Sequence, residues 1–68
     1  MAYSYWTVHS KEHGTFYNFR AKTRKDFLKT LHCFRIIPKE GDVVENNTAK
    51  KSYILKDGTW KKYPYQNT

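Results

Sequence analysis

Helical spacing of apolar residues occurs at one place in this chain, at Phe27, Leu28, Leu31 and Phe34. At 3.6 residues per turn these four fall on one stripe. Thr23-Arg24-Lys25-Asp26 stands in front of them in the pattern of a capping box, with Thr23 as N-cap and Asp26 at the position more often filled by Glu or Gln. Pro38 closes the run, because the residue before a proline avoids the α region. The spacing predicts a helix over 24–35. Its apolar stripe needs a partner, and the rest of the chain offers strands.

Residues 3–9 alternate β-branched and aromatic side chains with polar ones and read as a strand. A polar stretch containing Gly14 turns the chain, and residues 16–22 form a second strand of a hairpin. Residues 38–51 look irregular, with room for a short strand at Val43-Val44. The runs 52–55 and 60–63 flank Asp57-Gly58, which fits a type I′ turn and sets Leu55 opposite Trp60 as a core pair. Pro64 marks the end of pairing. The expected fold is α+β: a small antiparallel sheet of ββαββ order with one helix on one face. Without repeat, linker or low-complexity tract, residues 1–68 read as one small domain with loose ends.

A chain of 68 residues is near the lower limit for folding without staples. Its one cysteine, Cys33, closes no internal disulfide and is expected as a small core side chain on the helix. The core must come from two Trp, four Phe and six Tyr, since each aromatic buries roughly 150–250 Å². So small a core has no room for all twelve, so some are expected to face solvent. No basic segment leads into an apolar run, and none approaches the roughly 20 residues that span a bilayer. The expected location is the cytoplasm, without membrane contact.

Thirteen Lys and Arg against six Asp and Glu give a net charge of +7. Residues 20–29 hold Arg20, Lys22, Arg24, Lys25 and Lys29 against Asp26, and residues 50–62 hold five lysines against Asp57. Between them Glu40, Asp42 and Glu45 form an acidic stretch. Net charge alone serves solubility, but two basic blocks form a basic face if folding joins them.

Strand alternation assigns the faces. Burying Trp6 and Val8 with Phe19 and Ala21 keeps Arg20 and Lys22 out of the core, where unpaired charge is costly. The other face then carries Tyr3, Tyr5, His9, Phe16, Asn18, Arg20 and Lys22. Rings among cations suit a single strand of nucleic acid, with bases stacked on Tyr3 and Tyr5 and phosphates at Arg20, Lys22, Arg24, Lys25 and Lys29. The expected function is a small basic non-enzymatic domain binding RNA or single-stranded DNA. The alternative is a small inhibitor or adaptor, of a size fitting a phage or mobile element, that docks an acidic or nucleic-acid-binding surface of a partner protein.

Other chemistry has thin support. His9 and His13 straddle a strand and a turn, and the adjacent His32 and Cys33 point apart on a helix, so no metal site is expected. Nothing positions His9 or His13 for the acid–base work of a ribonuclease. Neither a phosphate-binding glycine loop nor paired carboxylates occur, so no catalytic residue, cofactor or small-molecule substrate is expected.

Overall fold

A computed structural model of the chain describes residues 3–65. The expected loose ends, at 1–2 and 66–68, lie outside the described residues. The elements are β1 (Ser4–Ser10), β2 (Gly14–Ala21), α1 (Arg24–Cys33), β3 (Val43–Asn46), β4 (Lys51–Lys56) and β5 (Thr59–Tyr63). The strands form one antiparallel sheet in the order β2-β1-β3-β4-β5. The α+β class stands, but the order is ββαβββ rather than ββαββ. The additional strand, β3, lies at the centre of the sheet. Two apolar residues are a weak strand signal, and here both sides of the strand are covered: Val44 is in the core and Glu45 is buried on the other face.

Thr23 caps α1 as its sequence predicts, its hydroxyl accepting from the Asp26 amide at 3.2 Å. Phe27 and Leu31 are fully buried and Leu28 is half-buried, but Phe34 stands 63% exposed just past the last turn. Cys33 is also exposed, a correction to its expected place in the core. It lies two residues beyond Leu31, about 200° round the helix, and so faces away from the sheet. The helix crosses the sheet obliquely. Arg24, at its start, lies over the Tyr53 ring of β4, while Phe34 meets Phe19 of β2 at 5.7 Å between ring centroids.

Beneath the helix, Trp6, Val8, Ala21, Phe27, Leu31, Ile36 and Val44 form the core, and Phe19 and Trp60 pack against it. Phe27 stacks on Trp6 at 5.1 Å and meets Phe19 at 5.5 Å. The expected core face of the first hairpin is thus the one observed. Phe16 is a correction. The register between β1 and β2 slips between Trp6 and Val8, so Phe16 pairs with Val8 and joins the helix side. The bulge falls at Tyr17 and Asn18, where Asn18 takes φ +65°. At the far hairpin Asp57 and Gly58 both have positive φ, as a type I′ turn requires, and Leu55 pairs with Trp60. Both of those side chains are half-buried, and Trp60 packs against the core.

The acidic stretch organises the far end of the sheet. Asp42 is buried, and its carboxylate accepts from the Lys11 amide at 3.1 Å and the Lys39 amide at 2.9 Å. Glu40 accepts from the Asp57 amide at 2.7 Å. Glu12 pairs with Lys39 at the surface; the Lys39 hydrogen bond and charge hold Glu12 below the ordinary carboxylate range, and Glu12 raises Lys39 in return.

Candidate functional site

Tyr5 is the hub of the opposite end. It pairs with Arg20 across β1 and β2. On its other side its backbone holds the 47–50 turn: Tyr5 O accepts from the Asn47 amide at 2.7 Å, and the Tyr5 amide donates to Thr48 Oγ1 at 3.0 Å. That turn leads directly into Lys50 and Lys51. The first basic block therefore approaches Tyr5 from β2 and the second approaches it from β4. Tyr3 and Tyr5 are 55% and 51% exposed, and Lys22 Nζ lies 5.5 Å from the centroid of the Tyr3 ring. Tyr3 and Arg20 line one shallow depression. Of the expected site residues, Tyr3, Tyr5, Arg20 and Lys22 thus come together.

The remaining three do not join them on that face. Arg24 lies on the helix side, its guanidinium 4.7 Å from the Tyr53 ring centroid. Lys25 and Lys29, four residues apart on α1, are exposed on its outer surface. What Arg24 does is join the blocks directly, since Tyr53 stands two residues after Lys51 on β4 and is the strand partner of Lys62. Lys50, Lys51 and Lys62 belong to this end, yet their place in it could be read from sequence only as part of a basic run.

The middle of the face away from the helix is closed around Thr7 and Glu45, which corrects the expectation of a fully open platform: His9 is half-buried there, while Asn18 is exposed at its edge. Thr7 is fully buried there and accepts from Asn47 Nδ2 at 2.7 Å; Asn47 Oδ1 accepts in turn from the Tyr65 hydroxyl at 3.0 Å. Glu45 accepts from His9 Nε2 at 2.8 Å and from the Ser52 hydroxyl at 3.3 Å. The other His9 nitrogen lies 3.2 Å from Thr15 Oγ1. Both ring nitrogens are thus engaged within the protein. Among the described residues no three His, Cys, Asp or Glu side chains gather as a metal-binding group, and no helix is long and apolar enough to cross a membrane.

Charge is consequently divided by the topology. Arg20, Lys22 and the turn residue Lys50 flank Tyr5, while Lys51 lies on the helix side of the same end, where Arg24 and Lys25 begin the helix, and Asp26 is the nearby acid in the sequence. Glu12, Glu40, Asp42 and Asp57 hold the turns at the other end. No family model, no curated protein and no solved structure matches this chain.

Proposed function

We propose that this protein is a non-enzymatic nucleic-acid-binding domain that takes a single strand across the end of its sheet. The observation that supports this reading is the position of Tyr5 between Arg20 and the 47–50 turn, exposed and flanked by both basic blocks. Bases stack on Tyr3 and Tyr5 while phosphates meet Arg20, Lys22 and the lysines that follow the turn, with Arg24, Lys25 and Lys29 extending the cationic path round the helix. The test is a pair of substitutions. Tyr5→Ala keeps the backbone bonds of β1 and removes an exposed ring, so the fold survives; oligonucleotide affinity falls by about 1–3 kcal/mol with the salt slope unchanged. Arg20→Ala weakens binding evenly across sequences and lowers the log–log salt slope by about 0.7 for a single strand. Affinities weaker than millimolar at low salt for every DNA and RNA tried would remove the reading.

A second reading has its own observation. Tyr17, Phe34 and Ile37 are each more than half exposed, and Phe34 and Phe16 flank Phe19 on the helix side. Exposed aromatics away from the cations suit a protein partner, as in an inhibitor or adaptor that docks an acidic or nucleic-acid-binding surface. Capture of one partner that persists after nuclease treatment and is lost with Phe34→Ser favours it.

A further inference from the structure

A second depression opens where the 47–50 turn meets the ends of β4 and β5. Lys50, Lys51, Lys62, Tyr63 and Tyr65 line it together with Tyr53, and of its rings Tyr63 and Tyr65 belong to the face away from the helix. One of the rings is fixed before any ligand arrives: Tyr65 is anchored through its hydroxyl to Asn47, which is itself bonded to the buried Thr7, whereas the Tyr53 ring turns to the helix side under Arg24. Among the described residues no carboxylate lies within ion-pair distance of Lys50, Lys51 or Lys62. Three like charges thus line one depression without a counterion among the described residues, and the Tyr65 ring beside them is already in place. Lys50 also holds φ +55°, a left-handed conformation that glycine or asparagine adopts more readily. A lysine kept at that cost puts its ammonium on the rim, where glycine would put nothing.

We infer that this depression binds one phosphorylated nucleoside unit, its phosphate at Lys50, Lys51 and Lys62 and its base against Tyr63 and Tyr65. Cationic rim and aromatic wall are the two elements that nucleotide recognition needs, and a preformed wall lowers the ordering cost of binding. The inference deepens the proposed function and rests on it where the unit belongs to a strand. The same chemistry accepts a free nucleotide, and the two sources are separable.

Lys50→Gly is the informative variant, because it relaxes the backbone while removing the charge; its melting temperature stays level or rises. Amide shifts are followed by NMR with uridine 5′-monophosphate, uridine and a short oligouridylate. The expected result is that the monophosphate perturbs residues 50–53 and 63–65 more than uridine does. Lys50→Gly and Lys62→Gln should each weaken both phosphate ligands and lower the oligouridylate salt slope by about 0.7, the value for one phosphate on a single strand. If the oligouridylate binds with shifts confined to Tyr3, Tyr5 and Arg20, and both variants bind it as the parent does, the pocket is overturned and strand binding stands. If the monophosphate seats in the pocket while the oligouridylate does not bind, the pocket stands for a free nucleotide and strand binding fails. Binding of neither overturns both.

Discussion

Asn18, Arg35, Lys50 and Asp57 all hold φ between +53° and +65°, where a side chain crowds the backbone. Arg35 is the plainest case. It follows α1 as the left-handed residue of a Schellman ending: the Ile36 amide donates to Leu31 O at 2.9 Å and the Arg35 amide to His32 O at 2.9 Å. Ile36 is thereby turned into the core beside Leu31. The left-handed conformation costs a non-glycine residue about 1–2 kcal/mol, and glycine gives back roughly 0.5–1 kcal/mol in chain entropy. Arg35→Gly is therefore expected to stabilise the fold by roughly 0.5–1 kcal/mol, seen as a rise of a few degrees in thermal melts. A lower melting temperature would mean that the Arg35 side chain makes contacts worth more than the strain. Of these four positions only Asp57 was readable in advance, because Asp-Gly between two strand-like runs has one common use. An arginine or lysine in the left-handed region leaves no mark in sequence. Neither does the Asn18 bulge, and so strict alternation puts Phe16 on the wrong face.

The elements that could be read each carry a period or a punctuation mark. The helix has a cap, a stripe and a proline; the first hairpin alternates; the last has its turn dipeptide. The strand β3 has none of these, because a four-residue central strand is covered on both sides and its Glu45 is buried by pairing with His9 and Ser52. Tertiary bonds hold this strand in place, and Asp42 supplies them at its entry. Its carboxylate ties the β1–β2 turn at Lys11 to the loop at Lys39, and its backbone pairs with Leu55 of β4, Leu55 N donating to Asp42 O at 3.0 Å. Asp42→Ala keeps the backbone bond but leaves two amides without their charged acceptor. At roughly 1–2 kcal/mol for each, a loss of about 2–4 kcal/mol is expected. That is a large share of the 5–10 kcal/mol that small domains command. Urea unfolding measures it; a loss under about 0.5 kcal/mol would show that water replaces the carboxylate there.

At the scale of the whole molecule the question is whether net charge or its placement governs association. The two basic blocks were visible in the sequence, but their meeting at Tyr5 was not. It depends on β3 standing between β1 and β4, which puts the 47–50 turn beside the start of β1. The molecule measures 31 × 27 × 20 Å, and the screening length at about 0.1 M salt is roughly 10 Å. The two ends of the sheet are thus electrostatically separate under ordinary conditions, and paired neutralisations distinguish them. Lys22→Gln with Lys50→Gln removes two charges beside Tyr5; Lys11→Gln with Lys56→Gln removes two at the acidic end. All four side chains are exposed, so both double variants keep the fold, and both have the same net charge. If a strand crosses the Tyr5 end, the first pair loses two phosphate contacts and its log–log salt slope falls by about 1.4, while the second pair keeps the parent slope. Fluorescence anisotropy with a short oligonucleotide across a salt series reads both. Equal losses in the two variants would mean that overall charge is what attracts the ligand, and the arrangement of rings and cations about Tyr5 would then carry no recognition.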